Sequence, residues 1–296
     1  MNLLTRIKKS VRHRASYKIS SPLSRLLSVT GWGQYGPGPK LVDSGPVRRA
    51  GFPLEEYSFE LADLRQFWSD LCARSEWLRQ RCEEKPFWEK VPQYYFTWKR
   101  LEHLLSREDA VFIDIASTEN CPYFEVIRLL ARTRRTYRQD LIFPPGIHGD
   151  RIGGSAAELP LDDNSVDAMT LHCSYEHFEG DADTGFIREV GRVLRPGGRV
   201  CIVPLYLGEY AFIMCDPAWG LDIKPDPGTP VHLFPRWGER HGRFYSVSTL
   251  NERVIKPAIA AGLTPKVVHF SNILDVHPSC YTHFGLILDK PAAASA

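Results

Sequence analysis

A chain of 296 residues, 43% of them hydrophobic and 24% charged, has ordinary globular composition and can bury one large core with an appendage or two modest cores. No apolar run comes near the ~18 residues needed to cross a bilayer, and a net charge of +2 gives no electrostatic footprint for nucleic acid. The seven cysteines stand singly, none in CxxC spacing, which excludes a zinc ribbon and points to reduced thiols in the cytoplasm.

The chain opens on a basic arm, because Arg6, Lys8, Lys9, Arg12, Arg14, Lys18, Arg25 and Lys40 precede the first acid. Leu3, Leu4, Ile7 and Val11 fall at helical spacing among them. Three readings stay open: a solvated arm, a segment in weak contact with an anionic membrane, and an organelle transit peptide. From Gly31 to Pro53 glycine and proline recur and break regular structure, so 1–54 is set apart as an arm. Leu61, Leu64, Trp68, Leu71, Cys72 and Leu78, then Trp98, Leu101 and Leu105, keep helical spacing, and 55–107 is expected as a helical extension. Its aromatic run, FWEKVPQYYFTW, reads as a helical layer packed on a sheet, with a cover over a substrate pocket as the alternative.

From Ala110 short apolar runs alternate with helical segments. VFIDIAS is a strand, Pro122 to Arg132 a helix, and a second strand ends near Asp140. VDAMTLH, a helix from about Thr184 to Leu194, and RVCIVPLY follow. Asp181 and Asp183 are expected to cap that helix. Near the end TLNERVIKPAIAAGL reads as a helix, and PKVVHF and HFGLILD as strands close enough to pair antiparallel at a sheet edge. Such alternation builds an α/β fold with a mainly parallel sheet. Residues 205–246 are long and irregular, and stand out as a lid insertion in the domain 108–296. There Arg236, Arg240, His241, Arg243 and Tyr245, in PRWGERHGRFYS, suit a phosphate or carboxylate on a substrate, with solvated surface charge as the alternative.

Three segments carry more than fold class: a strand with an acid before a turn, SAAELPLDDNSVDAMTLHCSYEHF, and REVGRVLRPGGRVCIVPL. Together they resemble the class I S-adenosylmethionine-dependent methyltransferases, close to the type 11 branch, over about 110–290. The resemblance implies a Rossmann-like seven-stranded mainly parallel sheet with an antiparallel edge strand, behind the helical N-terminal extension. It implies S-adenosylmethionine as cofactor and a small-molecule or saccharide acceptor, and it leaves oligomeric state open. Asp114 then fixes the loop for the methionine part, Asp140 accepts from the ribose hydroxyls, and Ser155 and Ala156 meet the adenine edge. His172 falls at the same edge of the sheet. The Arg195-Pro196-Gly197-Gly198 stretch is expected to stop the helix before it.

The family's D-x-G-x-G-x-G loop appears as Asp114, Ile115, Ala116, Ser117, Thr118, Glu119 and Asn120, with no glycine. Ala116 and Ser117 are the nearest small replacements, and Asn120 is the residue expected to take the left-handed backbone. Pro122 suits the first turn of a helix. Thr118 and Glu119 are bulkier than the pattern. Base candidates are His177 and His172 with Glu176 beside them, against a packing role for the same residues. A metal on the three is disfavoured, for lack of a separate ligand cluster. A cofactor-free scaffold protein on the same fold is the alternative function.

Overall fold

The computed structural model describes residues 19–36, 40–84 and 89–292; the six bases from Arg6 to Lys18 and the helical spacing of Leu3 to Val11 lie outside the described residues. The chain forms two bodies. The larger comprises the described residues of Ser44–Tyr175, Ala182–Leu205 and Asn251–Ala296, and the smaller those of Met1–Asp43, Glu176–Asp181 and Tyr206–Leu250. The divisions drawn at 54 and 107 thus fall inside the larger body, while the lid segment and the end of the basic arm share the smaller.

In chain order the larger body has strands β1 Leu54–Tyr57, β2 Val111–Ile115, β3 Arg135–Asp140, β4 Gly146–His148, β5 Arg151–Gly153, β6 Val166–His172, β7 Leu194–Val203, β8 Thr264–Phe270 and β9 Phe284–Asp289. They form one sheet in the order β1-β8-β9-β7-β6-β2-β3-β5-β4. All neighbours are parallel except β8 with β9, β9 with β7 and β4 with β5. The seven strands from β8 to β5 match the expected sheet, and β1 and β4 extend its edges. The edge strand β4 is antiparallel to its neighbour, and β9, antiparallel to both of its neighbours, lies inside the sheet. Its sequence agrees with that place: the first five residues of FGLILD are all buried, whereas an edge strand with one wet face would alternate.

Helices α1 Ser44–Arg49, α2 Leu61–Arg74, α3 Glu76–Glu84, α4 Val91–Leu105, α5 Pro122–Leu130 and α6 Ala182–Val193 complete this body's main elements. Residues 91–98 of α4 are all buried, as a helix apolar on every side must be. They join Phe112, Tyr123 and Phe270 in the principal core. This supports the packing reading of the aromatic run, apart from Phe87 and Trp88, which lie outside the described residues.

Three local expectations change. Helix α6 ends at Val193 and passes straight into β7 at Leu194, so the Arg-Pro-Gly-Gly stretch is the irregular start of a strand, opposite a register shift at Val166/Ala168. Asp183 does not precede α6 as its cap; it is buried in the first turn and bonds Arg253 at 2.7 and 2.9 Å. The helical run 247–260 contains a π turn at Asn251–Ile255. Pro257 explains it: proline offers no N–H to the preceding turn, and the carbonyl of Arg253 accepts from Thr184 Oγ1 at 2.9 Å instead. Among the described residues no helix is long and apolar enough to cross a membrane.

The smaller body, which takes in most of the segment 205–246, has regular structure. It has a helix over 19–29 and a four-stranded sheet in the order Gln34–Tyr35, Val231–Leu233, Phe212–Cys215, Gly242–Phe244. Ile213, Cys215, Ile223, Val231 and Leu233 form its core with Leu27 and Trp32 packed against them. Asp216, buried, ties the pieces together by accepting from Ser20 Oγ at 2.8 Å and from the amides of Ala218 and Gly238 at 3.0 Å.

Candidate functional site

In the larger body the chain runs from β2 outward to β3, then returns to lay β6 on the other side of β2. That reversal is the topological switch point, where open α/β sheets bind ligands beyond the carboxyl ends of their strands. The ends that flank it are Asp114–Ser117 after β2 and His172–Cys173 after β6. Thr170 lies in register with Asp114 across the two strands.

Asp114 is buried, and both of its oxygens are engaged. Oδ1 accepts from Thr170 Oγ1 at 2.7 Å and Oδ2 from Cys121 Sγ at 3.2 Å. Cys121 is the residue before Pro122 at the start of α5, so one carboxylate pins both ends of the glycine-free turn. The left-handed position falls on Ala116, at φ 52°, and not on Asn120. Its strain, about 1–2 kcal/mol for a residue with a Cβ, is held by neighbours: the Ala116 amide donates to Gln139 Oε1 at 3.2 Å and the Ser117 amide to the Gln139 carbonyl at 2.8 Å. Gln139 Nε2 in turn donates to the carbonyl of Gly154 at 2.6 Å. A single buried amide side chain therefore joins the turn after β2, the end of β3 and the start of the loop after β5.

The bulky residues do not fill the turn. Thr118, Glu119 and Asn120 are exposed, and Glu119 pairs with Arg151 at 2.8 Å. Ser117 is buried beside the Cys121 thiol, and its Oγ is a polar atom that can meet a ligand in the turn. Asp140 ends β3 beside Gly153 of β5; its Oδ1 accepts from the Ile142 amide at 3.0 Å, so the acid also serves the turn that follows. Gly154 has φ 122°, and a Cβ there would meet nothing within 4 Å. Ser155 is exposed and its Oγ accepts from the Ala157 amide at 3.2 Å, while Ala156 is buried. These residues fit S-adenosylmethionine: a polar buried turn for the amino acid part, an acid for the ribose, and an open glycine beside a small residue for the ring.

The Leu-Pro block is held from α6. Glu189 Oε1 accepts from the Leu159 amide at 2.7 Å. Arg192 donates to the carbonyls of Leu159 at 3.0 Å and Leu161 at 2.7 Å and to Asp163 at 2.8 Å. Hydrogen bonds donated to Glu189 and Asp163 hold Arg192 above the ordinary arginine range. The specific part of the third motif is thus a clamp on the second. Gln139, Thr170 and Cys121 were not anticipated; Thr170 was detectable only through strand pairing, and Gln139 only as the neighbour of Asp140.

His172 is enclosed by the rings of Tyr123, 4.1 Å away, and Tyr94, 5.3 Å away. Its Nε2 is 3.1 Å from Thr97 Oγ1, and its Nδ1 stands 3.8 Å from Asp114 Oδ1, beyond a hydrogen bond. Burial pushes its pKa down, with Asp114 opposing, so His172 is a packed neutral imidazole near neutral pH.

The smaller body holds the other expected site residues. Within it Glu176 is buried, and its Oε1 lies 3.7 Å from His177 Nε2. His177 Nδ1 donates to the carbonyl of His241. Arg240 pairs with Glu179 at 2.6 Å and Asp222 at 3.1 Å. Arg243, buried, donates to the carbonyls of Phe178 at 2.7 Å and Gly180 at 2.8 Å and pairs with Asp226 at 3.2 Å. His241 Nδ1 donates to the Glu176 carbonyl at 3.1 Å. Tyr245 is buried and bonded through its backbone to Tyr206 and Gly208. Arg236 is exposed at φ 72°, and its amide donates to Ser20 Oγ at 3.0 Å. Arg240, His241 and Arg243 hold segment 176–181 in place, and an anion would have to displace carboxylates already paired with the two arginines.

Burial, reinforced by the Arg243 charge, pushes the pKa of His241 down to about 4. Between that value and the ordinary ~6.5 of an unfolded histidine, the unfolded chain binds the extra proton, so stability falls as pH falls through this window, by up to roughly 3 kcal/mol. Thermal melts across it should show a flatter pH slope in His241→Gln than in the parent. Equal slopes would remove His241 as the cause.

The methyltransferase domain family matches residues 129–202. An uncharacterized methyltransferase of Mycobacterium tuberculosis is 52% identical over 50 residues, 17% of this chain and 19% of that protein. A demethylmenaquinone methyltransferase of Corynebacterium kroppenstedtii is 32% identical over 91 residues, 28% of this chain and 39% of that protein. The chain thus spans about a fifth and two fifths of the length of these relatives. The crystal structure of the 1,6-didemethyltoxoflavin-N1-methyltransferase of Burkholderia thailandensis is similar at a TM-score of 0.46 and 16% identity, over 86% of this chain and 95% of that one. The family match takes in the Leu-Pro block and Thr170, the strand partner that holds Asp114 at the switch point.

Proposed function

We infer that the protein transfers a methyl group from S-adenosylmethionine to a small-molecule or saccharide acceptor. The observation that carries this reading is the turn after β2: Asp114 anchors it at both ends and Ala116 takes the left-handed backbone, so the loop keeps its form without glycine. S-adenosylmethionine, when bound, supplies a methyl group activated by a sulfonium centre. In this reading Ser117 and the backbone of the turn orient the amino acid part, Asp140 accepts from the ribose hydroxyls, and Ser155 and Ala156 border the adenine. Orientation and exclusion of water can supply ~7–11 kcal/mol of such a displacement. A base adds 10²–10⁴-fold where the acceptor is a hydroxyl.

Titration of S-adenosylhomocysteine into the whole protein should release heat with micromolar affinity, on the order of −8 kcal/mol. No heat with either this product or S-adenosylmethionine would sink the reading and favour a scaffold role. Isotopic methyl label followed through a metabolite extract would then identify the acceptor.

A further inference from the structure

Cys173 follows the last residue of β6 and holds a left-handed backbone, at φ 50°. Three side chains converge on its sulfur from separate parts of the larger body. Lys90 Nζ, from the turn before α4, lies 2.6 Å from Sγ. The Tyr281 hydroxyl, from the segment before β9, lies 3.3 Å away, and Gln93 Oε1, from α4, accepts from Sγ in its thiol form at 3.5 Å. Gln93 is itself fixed by donating to Thr282 Oγ1 at 2.9 Å and to the Glu89 carbonyl at 3.1 Å. The neighbouring Ser174 is buried, and its Oγ has no hydrogen-bond partner.

An ammonium at hydrogen-bond distance favours thiolate over thiol, and the thiolate is the nucleophile. Burial works against a charge on Lys90, yet its contacts with Cys173 and Tyr281 outweigh burial and hold the lysine above its ordinary range, while burial pushes the Tyr281 hydroxyl up and keeps it neutral. The pair is thus mutually supporting. Four other thiols are placed in the opposite way: burial pushes Cys121, Cys201 and Cys215 up to about 12 and Cys280 up to about 11. Cys173 is half-buried and so within reach of a small reagent.

We propose that Cys173, paired with Lys90 and bordered by Tyr281, is a reactive thiolate and a modification site for hydroperoxides and soft carbon electrophiles. With an alkyl halide the sulfur forms a C–S bond as the carbon–halogen bond breaks and halide leaves. With a hydroperoxide the sulfur forms an S–O bond as the O–O bond breaks; the departing hydroxide or alkoxide takes up a proton, the sulfur is oxidised by two electrons to a sulfenic acid, and the peroxide is reduced. The proposal goes beyond methyl transfer and needs no cofactor, so its test is independent of S-adenosylhomocysteine binding.

Limiting iodoacetamide added to the full-length protein near neutral pH, with sites mapped by mass spectrometry, should label Cys173 roughly tenfold faster than Cys72. Hydrogen peroxide followed by dimedone should trap a sulfenic acid at Cys173. Lys90→Met should bring labelling of Cys173 down to the rate of Cys72, while Lys90→Arg, which keeps the charge, should retain the fast rate. If Lys90→Met fails to fold, the parent comparison decides alone. Labelling of Cys173 no faster than of Cys72, or fast labelling that persists in folded Lys90→Met, would overturn the proposal.

Discussion

Replacing Asp114 with alanine is expected to weaken S-adenosylhomocysteine binding by about a hundredfold, measured by calorimetry on protein shown to be folded. The carboxylate accepts from Thr170 and from Cys121, and hydrogen bonds to an ionised group contribute roughly 1.5–3 kcal/mol each. Removing it frees the turn at the strand end and at the helix start together. The loss in affinity would follow from disorder in the turn, because each oxygen holds one end of it. Asp114→Asn should fall between, since an amide oxygen can still accept from Thr170 while its NH2 meets Cys121. An alanine variant that binds within about threefold of the parent would place the cofactor elsewhere; a threefold change is only ~0.7 kcal/mol.

A larger effect on stability is expected from Gly153→Ala. A Cβ at this position would stand 1.8 Å from the carbonyl oxygen of Pro144 and 2.6 Å from that of Phe143. Both are backbone atoms, so no rotamer change relieves the clash; the 143–145 loop must move off the strand. Overpacking of this kind costs about 3 kcal/mol at the upper end of its usual range, which for a protein of this size lowers the melting midpoint by roughly 6–12 °C. The same displacement shifts the loop that follows Asp140, so S-adenosylhomocysteine affinity should fall as well. A melt coinciding with that of the parent would show that the loop does not pack on Gly153 as described.

The parallel sheet was legible in the sequence because VFIDI and VDAMTLH are mainly apolar without strict alternation, as strands covered on both faces are, and all but the last residue of the second are buried. The inner place of β9 was available in the same pattern, since FGLILD shows no alternation. The turn was misjudged at one residue. Propensity favoured Asn120 for the left-handed position, but the site is set by where Asp114 and Gln139 grip the chain, and they grip it at Ala116. The arginines of PRWGERHGRFYS looked available because their partners, Glu179, Asp222 and Asp226, are distant in sequence or on other turns. The strands of the smaller body, three or four residues long at most, are too short for periodicity to reveal.

Gln139 ties three backbone segments with one amide group. A glycine-rich turn samples many shapes and must surrender that freedom each time a ligand docks. Here the ordering is completed during folding, with Ala116 locked into its unusual torsion before any nucleoside arrives. Such preorganisation spares the binding step part of its entropic penalty, and the absent glycines become a trade of suppleness for readiness.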